Sequence, residues 1–178
     1  MRVLRKYRME FENSERQDIR LWVDADACPV RIKEMLIKTS LRLELELIFV
    51  ANQSIALPRN DNIQLIVVSD GADVADDLIA SRVAEFDVVV TQDIPLAARV
   101  VEKQAAAIGP RGEINDDSTV HNRVATRNLM EQFRSSGQET RGPKPLSSKD
   151  LQSFANALDK TITRSRKQFK QLRDSDPS

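Results

Sequence analysis

Four short apolar runs constrain the fold of this chain more than any other feature. LWV (21–23), LELIFVA (45–51), IQLIVV (63–68) and FDVVVT (86–91) are rich in β-branched residues and lack clean polar alternation. Strands covered on both faces read this way, and both faces are covered when a parallel sheet is flanked by helices. Segments of helical spacing alternate with these runs. Over 29–39, Val30, Ile32, Met35, Leu36 and Ile37 recur at roughly helical intervals behind Pro29, and 72–84 and 94–103 are similar. The predicted class is α/β: a three-layer α/β/α arrangement on a mainly parallel sheet, with further helices at the C-terminal end.

The connection NQSIALPRNDN (52–62) is short for a crossover helix. It holds either a single helical turn or joins an antiparallel strand pair. A fifth, short strand is expected near 105–108, then a turn at GPRGE (109–113) and a helix over about 117–134. A polar Gly/Pro-rich linker (135–148) precedes a final helix, capped by Ser147 or Ser148, that carries Leu151, Phe154, Ala155, Leu158 and Ile162. The reading is one domain over 19–162, an N-terminal extension over 1–18 and a basic tail over 163–178. Tyr7, Met9 and Phe11 alternate as an added edge strand would.

Composition excludes more than it selects. A chain of 178 residues closes a real core, and with 27 basic and 27 acidic residues its net charge argues neither for nor against a nucleic-acid partner. The tail positives Arg164, Arg166, Lys167, Lys170 and Arg173 read as a solvated helical face, with polyanion binding as the alternative. One cysteine excludes an intramolecular disulfide, and no Cys/His cluster suits zinc. No run has the length of a signal-peptide core or a membrane span, so a cytoplasmic protein without membrane contact is expected.

The functional signal is positional. Open parallel sheets bind ligands beyond the carboxyl ends of their strands. Asp24 and Asp26 follow the first run, Asn52 the second, Asp70 and Asp73 the third, with Asp76 and Asp77 on the next helix; Thr91 and Asp93 follow the fourth. Each piece has an ordinary explanation. Asp26, Asp73 and Asp93 sit where helix N-caps belong, and Asp76 and Asp77 suit the positive end of a helix dipole. Asp24, ending a buried run, is harder to dismiss, because burying an unpaired carboxylate is costly. Only one of Asp76 and Asp77 can face the crevice. Together the acids repel one another until a proton or a cation relieves them, and oxygen-only ligands select Mg²⁺ or Mn²⁺. Cys28 and Trp22 read as packing residues and His121 as a surface or helix-capping residue. Arg111 in GPRGE either meets a phosphate or serves the turn.

VDADACPV, VANQ, DVADD, VVVTQDIPLAA, GPRGE and RSSG…GPKPLS, in this order and spacing over roughly 20–158, resemble the YaiI/YqxD family of uncharacterised bacterial proteins. Members typically read TADIPLA where this chain has TQDIPLA; Asp93 is kept. The resemblance implies a fold similar to PIN-like nuclease domains, with an acid cluster binding Mg²⁺ or Mn²⁺. It assigns Asp24, Asp77 (Asp76 being the less favoured of the pair) and Asp93 as catalytic and metal-holding residues. Asp26, where the PIN pattern commonly has a small polar residue, stands as metal ligand, water ligand or cap. Asn52, Asp73, Asp76, Thr91 and Arg111 support.

Three functions compete. The first is a Mg²⁺/Mn²⁺-dependent phosphodiesterase acting on RNA. The second is a non-catalytic nucleic-acid or protein-binding module. The third is a haloacid-dehalogenase-like phosphatase, with Asp24 of the D-x-D as nucleophile and Asp26 as general acid.

Overall fold

The computed structural model describes residues 16–71, 73–135 and 144–175. Tyr7, Met9 and Phe11 and most of the 135–148 linker lie outside the described residues. Among the described residues, strands β1 (Arg20–Asp24), β2 (Glu46–Ala51), β3 (Ile63–Val67), β4 (Val88–Val90), β5 (Ala106–Ile108) and β6 (Ile114–Asn115) are interleaved with five helices. These are α1 (Val30–Leu43), α2 (Val74–Arg82), α3 (Ile94–Glu102), α4 (Asp117–Ser135) and α5 (Ser148–Ser175). The strands form one sheet in the order β3-β2-β1-β4-β5-β6, parallel except that β6 is antiparallel to β5.

Two apolar layers explain the unbroken runs. Leu21 and Val23 of β1 pack with Ile32 and Leu36 of α1 and Phe154, Leu158 and Ile162 of α5. Trp22, between them, points to the opposite face and joins Ile79 of α2, Leu96 and Val100 of α3 and Val120 of α4. A strand clothed on both sides has no solvent face on which to alternate. β3, at the edge, is only partly covered.

Three expectations change. β2 and β3 pair in parallel, so the antiparallel alternative for 52–62 does not hold, and that connection contains no helical turn. Ile55 and Leu57 give it an apolar side that packs onto the α1–α5 layer. A sixth strand follows the GPRGE turn, where Gly112 at φ 84 closes the hairpin by donating to the Gly109 carbonyl (3.0 Å). A Cβ on Gly112 would lie 2.6 Å from the Ser153 backbone, so the turn abuts α5 at a distance only glycine permits. Ser147 caps α5: its Oγ accepts from the Asp150 amide, and Asp150 Oδ2 accepts from the Ser147 amide at 2.8 Å.

The segment read as a basic tail is the outer half of α5. Ser165 and Phe169 are buried, and Arg166 Nε donates to Asp18 Oδ2 at 2.8 Å. The Arg16 guanidinium stacks 4.8 Å from the Phe169 ring centre. Two of the five tail positives, Arg166 and Arg173, thus fasten residues 16–18 to the domain.

Asp87 ties the lower ends of the central strands together. Its carboxylate, fully buried, accepts from the Arg20 amide (2.9 Å), the Trp22 indole (3.0 Å) and the Ala84 amide (3.0 Å), and pairs with Arg16 (3.0 Å). Removing it strands a buried guanidinium and three donors. Asp87→Ala is expected to lower unfolding free energy by about 3–5 kcal/mol, read by urea denaturation.

Candidate active site

The chain direction across the sheet reverses at its centre. β1 leads through α1 to β2 on one side, whereas β4 lies on its other side. Loops leaving the carboxyl ends of β1 and β4 therefore diverge and leave a crevice, the place where open α/β sheets bind ligands. A cavity of about 420 Å³ opens there; Asp24, Asp26, Asp73, Asp76 and Asp93 line it, and among the described residues Arg127 is the one cationic residue that does.

Asp24 ends β1 and is 8% exposed. The register that sets Val23 beside Val90 brings Thr91 alongside Asp24, and the Thr91 hydroxyl donates to Asp24 Oδ2 at 3.1 Å. Thr91 Oγ1 in turn accepts from the Asp93 amide at 2.9 Å, so Thr91 links the two acidic loops. Burial pushes the Asp24 carboxyl above its ordinary value, opposed by the Thr91 hydrogen bond and reinforced by Asp26 and Asp93. Asp93 caps α3 as its position suggested: Oδ1 accepts from the Leu96 amide at 2.7 Å, with Pro95 in the first turn.

Asp26 is not the cap of α1. That position belongs to Pro29, without a side-chain hydrogen bond, while Asp26 Oδ2 accepts from the Asn52 amide at 2.8 Å. It thereby ties the β1 loop to the end of β2. Asn52 enters through its backbone, and its side chain does not line the crevice. Asp73 occupies the N-cap position of α2 at φ 62, makes no capping bond and lines the crevice. Asp70 does not line it.

Of the adjacent pair on α2, Asp76 faces the crevice. Ile79, Ala80 and Val83 are buried, and Asp76 stands three, four and seven positions before them on the same helical face. Asp77, a further 100° round, pairs instead with Arg99 at 2.8 Å, its side chain 68% exposed. The preference for Asp77 is therefore corrected in placement, and the signal lay in the apolar stripe 79-80-83. Burial and the charges of Asp93, Asp24 and Asp73 push Asp76 from an ordinary 3.8 to about 6.

Arg111 is committed to the turn. Its guanidinium donates to Asp150 Oδ2 (2.6 Å) and to the Lys144 carbonyl, bracing α5 against the β5–β6 hairpin. Cys28 is buried, and its thiol is pushed up to about 12, the wrong direction for a nucleophile. Arg127 and Gln92 line the crevice without having been singled out. Arg127 sits in an evenly polar helix and pairs with Glu131 (3.2 Å), a pattern with no trace of a site. Gln92 lies between Thr91 and Asp93 in TQD, and its Nε2 donates to the Ala27 carbonyl at 2.6 Å.

Among the described residues, no group of three or more His, Cys, Asp or Glu side chains is arranged to hold a metal ion. The fit to Mg²⁺ or Mn²⁺ is one of donor chemistry: carboxylates only, mutually repelling, and open to water.

The raised Asp76 gives a signed expectation. Between 3.8 and about 6 the folded chain holds a proton on Asp76 that the unfolded chain has lost, so this group makes stability fall as pH rises through that window. Asp76→Asn removes the repulsion. In EDTA it is expected to raise the thermal midpoint at pH 7.5 and leave it nearly unchanged at pH 4, measured by scanning fluorimetry. A lowered midpoint at pH 7.5 would contradict the assignment.

Comparison with known proteins agrees with the motifs. A UPF0178 protein of Azorhizobium caulinodans is 51% identical over 148 residues, covering 83% of this chain and 92% of the relative. One from a Marinomonas species is 50% identical over 144 residues, covering 81% and 97%. One from Acidithiobacillus ferrooxidans is 49% identical over 144 residues, covering 81% and 98%. No solved structure matches the chain. No helix among the described residues is long and apolar enough to cross a membrane. A family model spans residues 22–164, and the chain belongs to the family it describes, uncharacterized BCR, YaiI/YqxD.

Proposed function

We propose that the chain is a Mg²⁺- or Mn²⁺-dependent, PIN-like phosphodiesterase acting on RNA. One observation carries the reading: five aspartates from three separate loops and α2 line a single crevice at the point where the strand order reverses. Carboxylates outside the crevice include cation-paired ones, as Asp87 is with Arg16 and Asp150 with Arg111. The crevice carboxylates face one another, and among the described residues Arg127 is the cation that lines the crevice with them. Such an arrangement costs stability and is understandable where a cation is to be received.

Asp24, Asp76 and Asp93 would hold the ion, with Asp26 and Asp73 beside them. When bound, Mg²⁺ or Mn²⁺ supplies Lewis acidity and offsets the charge of a phosphodiester. The chain's own contributions are orientation and charge. The Thr91 hydroxyl fixes the Asp24 oxygen, the α3 amide at Leu96 fixes Asp93, and the Asn52 amide fixes Asp26. Arg127 offers a cation to a phosphate oxygen from the α4 side. For the phosphatase reading, D-x-D is present, but no lysine lines the crevice among the described residues.

Cleavage of a fluorogenic single-stranded RNA in Mn²⁺ tests this. Asp24→Asn, Asp76→Asn and Asp93→Asn are each expected to reduce the rate by about a hundredfold or more, with loss of Mn²⁺ binding by calorimetry. Asp77→Asn should stay within about twofold, because its exposed pair with Arg99 contributes little. Cleavage that survives Asp24→Asn, or RNA binding without any turnover, rejects the hydrolytic reading.

A further inference from the structure

A second cavity, of about 380 Å³, shares Gln92 with the acidic crevice and has the opposite charge character. Arg31 at the start of α1, Arg111 of the β5–β6 turn and Lys144 ahead of α5 line it, and among the described residues no carboxylate does. The Arg111 guanidinium is held by Asp150 and the Lys144 carbonyl, so it is a fixed wall. Arg31 and Lys144 are exposed, and among the described residues no ion pair or hydrogen bond engages their side-chain nitrogens. The remaining surface is apolar: Val30, 68% exposed, with Pro145 and Leu146.

The two cavities solve one electrostatic problem. Among the described residues five aspartates stand against a single arginine; they repel an approaching polyanion, so a phosphodiester strand must be drawn in by charge elsewhere. The adjoining cavity is of ligand size and supplies free cations. Gln92, anchored on the Ala27 carbonyl, holds the two at a fixed separation. Apolar walls beside the cations suit an unstacked nucleotide, whose base and ribose need cover while its phosphate needs charge; a duplex offers no such base.

We propose that this cavity docks the nucleotide flanking the bond held at the acidic crevice, with phosphate on Arg31 and Lys144 and base and ribose against Val30, Pro145 and Leu146, in a single-stranded RNA. The occupant, though not the cavity, rests on the reading of the crevice given above.

The test is binding of a fluorescein-labelled single-stranded oligoribonucleotide to the full chain in EDTA, followed by anisotropy between about 50 and 200 mM salt. Arg31→Glu and Lys144→Glu should each weaken binding about tenfold and flatten the slope of log affinity against log salt by about 0.7 per lost phosphate contact. Val30→Ser should weaken binding without changing the slope. Lys170→Glu, far along α5, should change neither. The site is overturned if the wild type does not bind, if the Arg31 and Lys144 variants bind as the wild type does, or if an acidic peptide of equal charge displaces the RNA as well as unlabelled RNA does. Turnover in Mn²⁺ is scored separately. Binding through Arg31 and Lys144 without turnover removes the hydrolytic reading and keeps this site; turnover indifferent to both variants does the reverse.

Discussion

Everything above the middle of the sheet depends on one carboxylate below it. Asp87 has no exposed surface, yet it gathers an amide and an indole from β1, an amide from the loop before β4 and the Arg16 guanidinium. A buried charge is tolerable only when so fully partnered, and the partners come from three segments: β1, the loop before β4 and the stretch ahead of β1 that carries Arg16. The consequence is register. With the lower ends of β1 and β4 locked, Leu21, Trp22 and Val23 lie beside Val88, Val89 and Val90, and their next residues are Asp24 and Thr91. A slip of one residue would turn Asp24 from the crevice to the other face of the sheet. The arginine stacked on Phe169 extends the same lock to α5, which makes residues 16–18 and the distal helix part of the domain that holds the site.

The upper edge is built on the opposite principle. Asp87 is surrounded by donors, whereas the crevice acids have few: Thr91 for Asp24, single amides for Asp26 and Asp93, and Arg127 as the nearby cation. Burial, and after it the residual repulsion from Asp93, Asp24 and Asp73, pushes the Asp76 carboxyl to about 6. Between a fully satisfied floor and an under-compensated rim, the rigid part of the molecule positions the strained part. The neighbouring basic cavity completes the gradient, so charge of both signs is laid out along one rim, with Gln92 between.

Much of this was legible in the linear chain, and the failures have specific causes. The unbroken β-branched runs reported a sheet covered on both faces, and the acids after them reported the edge at which the acidic crevice opens. Asp76 was legible too, because the stripe Ile79, Ala80 and Val83 defines the buried face that Asp76 shares; family resemblance pointed to Asp77 and obscured it. The N-cap reading of Asp26 failed because capping depends on where a helix begins, and Pro29 opens α1 one turn later than a cap at Asp26 would require. The helix-free crossover at 52–62 was obscure because its apolar residues, Ile55 and Leu57, are too few to show a period.

Local pattern thus determined the class of fold, the helices and strands, and the accumulation of acids at one edge, since each of these follows from periodicity and chain direction over a few residues. Tertiary structure alone decided which acids meet. It brought Asp73 and Asp76 back from the edge strand to β1 and placed Arg127 over them from a helix some 50 residues away. It turned Arg111 from a phosphate candidate into a brace for α5, and set Arg31 and Lys144, more than 100 residues apart, around one cavity. Those pairings depend on the order of strands in the sheet and on what each helix packs against, and no short stretch of sequence encodes either.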